Sequence, residues 1–171
     1  SVHYINIDEN YIAVDNMPQI LKNAAQQFFG GDMLSLCERY YELISQLKNV
    51  DIIGHFDLIT KFCEREGLFD MSSRRYRMSA LTALDTLLDK DVVFEVNTGA
   101  ISRGYRKTPY PAPFILKRIS ERGGRVILSG DAHDVHGLCA HFESAAALLK
   151  SLGVKNIVTL TKNGFKESSP D

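Results

Sequence analysis

Short runs of Val, Ile, Leu and Phe alternate along the chain with longer stretches whose apolar residues recur every three or four positions. The short runs predict strands at Val2–Ile5, Val50–Gly54, Val92–Asn97, Arg125–Ser129 and Asn156–Leu160. Apolar on both faces, they fit parallel strands covered by helices. The longer stretches predict helices over Pro18–Phe29, Met33–Lys48, Asp57–Cys63, Arg74–Asp89, Pro113–Glu121 and His141–Leu152. Tyr76, Ala80, Ala83, Leu84 and Leu87 share one helical face, as do Met33, Leu36, Cys37, Tyr40, Leu43, Ile44 and Leu47. Gly30-Gly31, Gly123-Gly124 and Gly153 mark helix ends, and the residues from about Lys166 read as frayed.

This alternation predicts an α/β fold, strands parallel and helices outside, in a single domain over residues 1–171. Composition narrows the class further. The chain has 171 residues, with 44% apolar and 24% charged, which excludes a disordered segment. Lys+Arg 20 against Asp+Glu 21 gives a net charge of −1, so nothing favours nucleic acid or an anionic membrane as partner. No stretch approaches the roughly 18 consecutive apolar residues of a membrane helix. Cys37, Cys63 and Cys139 form no CxxC pattern and read as reduced core thiols of a cytoplasmic protein. The chain opens on Ser-Val-His-Tyr-Ile, without Met and as if mid-strand, which suggests part of a longer protein. Five strands do not close a barrel, which takes about 200 residues or more. The sheet is therefore either open and doubly wound or the later part of a barrel. Neither G-x-G-x-x-G nor G-x-x-x-x-G-K-[ST] occurs, which removes the main support for a nucleotide site.

Functional residues of parallel α/β folds gather at the carboxyl ends of the strands. Here those ends carry Gly54-His55-Phe56-Asp57, Asn97-Thr98-Gly99 and Gly130-Asp131-Ala132-His133, with His3 on the opening strand. Asp131 and His133, two residues apart, are either a carboxylate–imidazole metal pair or part of a turn capped by Asp131 and Asp134. His55 is either a ligand or a buried histidine bonded to backbone. Several ligand-type residues at one end of neighbouring strands favour a zinc, manganese or iron site. His136 and His141 read as loop and helix surface. Arg103, Arg106 and Lys107 fall in a loop before Pro109-Tyr110-Pro111-Ala112-Pro113 and are either a phosphate clamp or a solvated run. Metal ligands and a phosphate clamp on one face describe a metal-assisted phosphoesterase. No G-x-S-x-G elbow and no cysteine phosphate loop compete with it.

Ser-Val-His-Tyr-Ile, Asp-Ile-Ile-Gly-His-Phe-Asp-Leu-Ile, Phe-Glu-Val-Asn-Thr-Gly and Ile-Leu-Ser-Gly-Asp-Ala-His-Asp, in this order, resemble successive motifs of the PHP (polymerase and histidinol phosphatase) superfamily. The Asn-Thr end followed by an arginine loop and Tyr-Pro is similar to its histidinol-phosphatase branch. The resemblance implies a distorted (β/α)7 barrel with two or three divalent metals, hydrolysing L-histidinol phosphate in histidine biosynthesis. It implies His3, His55, Asp131 and His133 as metal ligands, and Asp131 or His133 as proton donor. Asn97, Thr98, Arg103 and Arg106 would handle the small phosphorylated substrate. The family's amino-terminal H-x-H motif, bridging glutamate and two further histidines have no counterpart, so the chain resembles a carboxyl-terminal portion. With ligands for three metals so reduced, it is expected to bind metal weakly, to lack phosphatase activity and to form a homo-oligomer. The alternatives are a PHP-type phosphoesterase for another metabolite or nucleotide, and a non-catalytic binding remnant.

Overall fold

A computed structural model describes residues 1–168. The chain begins with a hairpin in which β1 (Tyr4–Ile7) pairs antiparallel with β2 (Asn10–Ala13). Its two turn residues, Asp8 and Glu9, both take left-handed backbone with φ of 48° and 65°, the conformation that matches strand twist in a tight hairpin. Ile5 and Ile7 face inward and Tyr4 and Asn6 outward, the period-two pattern of a half-buried antiparallel ribbon. The strand expected at Val2–Ile5 thus starts later and lies outside the main sheet, because its continuation through Asn6 alternates in polarity.

Two helices follow, α1 (Pro18–Phe29) and α2 (Met33–Ser45). Pro18 starts the first, and Gly30, at φ 59°, ends it by donating its N–H to Ala25. Asp32 caps the second: its carboxylate accepts from Leu34 N at 2.9 Å, from Ser35 Oγ at 2.9 Å and from Arg75 Nη1 at 2.7 Å. The hydrogen bond from Arg75, joined by Ser35 and the Leu34 amide, outweighs desolvation and brings the Asp32 carboxyl down to about 2. Because the folded value lies below the ordinary one, this stabilisation is complete above about pH 4 and is lost as pH falls through about 2. Asp32→Ala is expected to cost about 1 kcal/mol at pH 7, mostly the helix cap, since the Arg75 pair is exposed. Urea midpoints at pH 7 and pH 2 check this: the two proteins should differ at the first and converge at the second.

Beyond α2 come β3 (Ile52–Ile53), α3 (Cys63–Glu66), α4 (Arg74–Leu88), β4 (Val93–Asn97), α5 (Gly99–Ser102), α6 (Pro113–Glu121), β5 (Arg125–Ser129), α7 (Phe142–Ser151), β6 (Ile157–Thr161) and β7 (Gly164–Ser168). The main sheet runs β3-β4-β5-β6-β7, parallel except for the last pair. Helices α2, α4 and α6 pack in succession. Tyr40, Tyr41, Tyr76, Phe56, Phe94, Leu84 and Ile119 are among the buried side chains of the core.

Three expectations change. The helix expected at Asp57–Cys63 is a 3-10 turn, Leu58–Thr60, followed by α3, because the Asp57 carboxylate is engaged across the fold rather than capping a local helix. Of the residues expected to fray, 166–168 belong to β7, paired with β6 around a two-residue Lys162-Asn163 turn followed by Gly164, and the remainder lie outside the described residues. Cys139 is exposed, in left-handed backbone at φ 57°, whereas Cys37 and Cys63 are buried. Burial pushes the Cys63 thiol up to about 12 and the Cys37 thiol well above its usual range, so neither serves as a thiolate nucleophile.

Candidate functional site

The carboxyl ends of β3, β4 and β5 converge with the hairpin on a cleft of about 270 Å³. His3, Asp15, His55, Arg103, Tyr110 and Asp131 are among its lining residues. His55 and Asp131 each stand one glycine beyond a strand end, after β3 and β5 respectively. Both sit in left-handed backbone, at φ 38° and 45°, a conformation that short polar residues enter more readily than branched ones. The His55 amide donates to Glu95 Oε2 at 2.9 Å, which ties the end of β3 to the middle of β4. Gly54 makes that approach possible: a Cβ there would collide with Ser1 Oγ and come within 3.2 Å of Glu95 Oε2.

Arg103 grips Asp131 with two nitrogens. Nη1 donates to the backbone carbonyl at 2.9 Å and Nη2 to Oδ2 at 2.7 Å. The guanidinium crosses Gly99 on the way, where a Cβ would lie 2.8 Å from Nη2. Burial alone would raise the Asp131 carboxyl, but the hydrogen bond and charge of Arg103, with His55 and His133 nearby, bring it below its usual value. Burial lowers the His55 imidazole below its ordinary range, against the opposing pull of Glu95 and Asp131. At neutral pH the cleft therefore pairs a neutral imidazole with a carboxylate and a guanidinium. Arg103 has five N–H donors and spends two of them on Asp131, so it can also meet an anion at the cleft wall.

His3 pairs its Nδ1 with Asp15 Oδ2 at 3.0 Å. A carboxylate only accepts, so Nδ1 carries a proton in this pair. The His3 and His55 rings meet edge to face at 5.3 Å. His133 is exposed, with Nε2 3.7 Å from Asp131 Oδ1. It also lines a second cleft of about 290 Å³, which shares Arg103 and Asp131 with the first and adds His136 and His141.

The remaining expected contacts turn inward. Asn97 is fully buried and its Oδ1 accepts from Gly99 N at 2.9 Å. Thr98 Oγ1 donates to the Ala140 carbonyl at 2.7 Å, tying the end of β4 to the loop after β5. Arg106 is 4% exposed and bonded to Asp57 and Thr60, so Arg103 and not Arg106 is the arginine presented to the cleft. Asp15 and Tyr110 line the cleft and Glu95 anchors the His55 amide beside it, and sequence reasoning singled out none of them as a site residue. Glu95 had one local signal, a lone charge inside the apolar Val-Val-Phe-Glu-Val run, and Tyr110 its place in the Tyr-Pro after the arginine loop, whereas Asp15 had none.

The donor chemistry suits a divalent ion, but the donor number does not. His55 Nε2 lies 3.5 Å from Asp131 Oδ2 and 4.0 Å from Glu95 Oε2, long for hydrogen bonds. The shorter of these matches the edge of a tetrahedral site with bonds of about 2.0–2.1 Å, roughly 3.4 Å. Among the described residues, however, no three His, Cys, Asp or Glu side chains are grouped so as to hold a metal ion. These residues are a partial donor set, short of the three or four protein ligands of a firm site.

The chain is similar to two curated proteins. A probable histidinol-phosphatase of Schizosaccharomyces pombe is 27% identical over 167 residues, covering 95% of this chain and 52% of that protein. A probable histidinol-phosphatase of Deinococcus radiodurans is 29% identical over 163 residues, covering 92% of this chain and 55% of the other. The likeness covers most of this chain, while the chain spans about half the length of the curated relatives it matches. No protein-family model matches the chain. No helix among the described residues is long and apolar enough to cross a membrane.

Proposed function

We propose that this chain is part of a metal-dependent phosphomonoesterase that converts L-histidinol phosphate to L-histidinol and phosphate. The observation that carries the reading is the Arg103–Asp131–His55 cluster in one cleft, within a stretch similar to two proteins whose names state that activity. On this reading the chain is the carboxyl-terminal portion of a (β/α)7 PHP barrel acting in the cytoplasm. His3, His55, Asp131 and His133 contribute ligands for zinc, manganese or iron, and further donors come from outside these residues.

Together with donors from outside these residues, His3, His55 and Asp131 would hold an ion whose chemistry would be to lower the pKa of a water towards 7 and to draw charge from phosphoryl oxygens. Arg103 binds a phosphoryl oxygen through its free N–H groups, as a fixed cation. Asp131 stays ionised at neutral pH, being held below its usual range, so it orients Arg103 and has no proton to give.

The test compares two purified proteins, the 171-residue chain and the full-length product of its gene, each with zinc, manganese and iron. The full-length product is expected to release phosphate from histidinol phosphate. The chain alone, oligomeric by light scattering, is expected to bind these metals weakly and to release none. Turnover by the chain would refute the incomplete-site reading. A full-length product that cleaves other phosphomonoesters and leaves histidinol phosphate intact would refute the assigned substrate, and one without any phosphatase activity the whole proposal.

A further inference from the structure

Asp57 and Arg106 form an ion pair inside the core, Nη1 to Oδ2 at 3.2 Å, with side chains 0% and 1% exposed. Burial works against the Arg106 charge, but the Asp57 carboxylate outweighs it and Arg106 holds its proton more firmly than a free arginine. Neither group lines the cleft. We infer that this pair is a positioning device, which clamps the Arg106–Ala112 segment beneath the cleft and so fixes the ring of His55 and the loop carrying Arg103.

The geometry is a chain of contacts with His55 at one end. Asp57 lies two residues after His55, and its Oδ2 accepts from both Arg106 Nη1 and the Ala112 amide, the latter at 3.0 Å. One carboxylate oxygen thus ties both ends of the segment to the loop that bears His55. Arg106 Nη1 also donates to Thr60 Oγ1 at 2.7 Å. Between the two ends, Tyr110 exchanges both backbone hydrogen bonds with Asn97, at 2.9 and 3.0 Å, which docks it on the end of β4. The Arg106 guanidinium lies over the Tyr110 ring at 4.3 Å, and the same ring meets His55 edge to face at 6.2 Å. Tyr110 is therefore held between the buried cation and the cleft imidazole. Toward Arg103, the amides of Tyr105 and Arg106 both return to the Ala100 carbonyl, at 2.8 and 3.3 Å, so the loop closes tightly onto α5.

Stability alone is a poor account of the pair. Asp57 Oδ1 and Arg106 Nε are buried with no hydrogen-bond partner among the described residues. A pair so incompletely satisfied does no better than a well-packed apolar one of similar volume. What an apolar pair would lack is direction: a fork and a carboxylate define distances and angles, and methylene groups do not.

The role of the cleft rests on the function proposed above, so the test reads geometry without turnover. In the 171-residue chain, imidazole and arginine Nε–H resonances are recorded for Arg106→Lys, which keeps the charge and removes the fork, and for the double variant Asp57→Leu/Arg106→Met. In at least one folded variant, the His55 and Arg103 signals are expected to move by more than a linewidth. The exposed His136 and His141 rings should stay as in the parent. Folded variants whose His55 and Arg103 signals match the parent's would overturn the inference, and so would movement of all four alike. Failure of both variants to fold would also overturn it, since the pair would then be a folding element. Absence of phosphatase activity from the full-length product would remove the proposed function and leave the resonance result standing.

Discussion

Replacing Arg106 with methionine is expected to lower the stability of the chain by about 3–5 kcal/mol, because it leaves the Asp57 carboxylate in the core without its counter-charge. Asp57 is 0% exposed, shut off from water by the packed core. Among the described residues, the only donor it would keep is the Ala112 amide. Guanidinium unfolding of parent and variant at pH 7 measures this, with a lowered midpoint at similar slope as the expected result. Arg75→Met is the contrast. Arg75 binds Asp32 and Glu38 as closely, but its side chain is 45% exposed, and an ion pair screened by water contributes little. Equal losses at the two positions would show that water reaches the Asp57 site.

The second large effect is on turnover. In the full-length gene product, Arg103→Ala is expected to reduce kcat/KM for histidinol phosphate by about 10²- to 10³-fold, the usual consequence of removing one fixed donor to developing charge. Its side chain is 35% exposed and its partner Asp131 can turn to solvent, so folding should suffer little. Arg103→Lys should recover part of the loss, because a single ammonium supplies charge without two parallel donors. Steady-state kinetics of the two variants decide the matter, and unchanged kcat/KM in Arg103→Ala would remove Arg103 from the substrate's path. Gly99 offers a structural cross-check, since the guanidinium crosses it at a distance that leaves no room for a methyl group.

Much of the frame was legible along the chain. The helical faces of α2 and α4 were readable because their apolar residues repeat at the helical period and pack on one another. The strands β4 and β5 were readable because short apolar runs stand out between polar flanks, broken in β4 only by Glu95. The opening segment misled because four residues of mixed pattern fit either a central strand or a hairpin arm. What separates these is pairing with Asn10–Ala13, across a turn of Asp8 and Glu9 that lacks the usual glycine. The β6–β7 hairpin had its signal in Asn163-Gly164, overshadowed by the polar residues around it.

The candidate site divides in the same way. His55 and Asp131 were found because chemistry-bearing residues just after apolar runs fall at strand ends, a local rule. The roles of Arg103 and Arg106 were not separable by any local rule, being three residues apart in one polar loop. The sequence by itself determined the α/β alternation, the faces of the long helices and which residues stand at the carboxyl end of the sheet, because these follow from periodicity and chain order. Only the tertiary structure decided that Arg106 turns inward to Asp57, 49 positions away, while Arg103 turns to Asp131, 28 positions away. Charge attraction between residues so far apart depends on which groups the packed core brings together and shields from water, and no pattern along the chain encodes that.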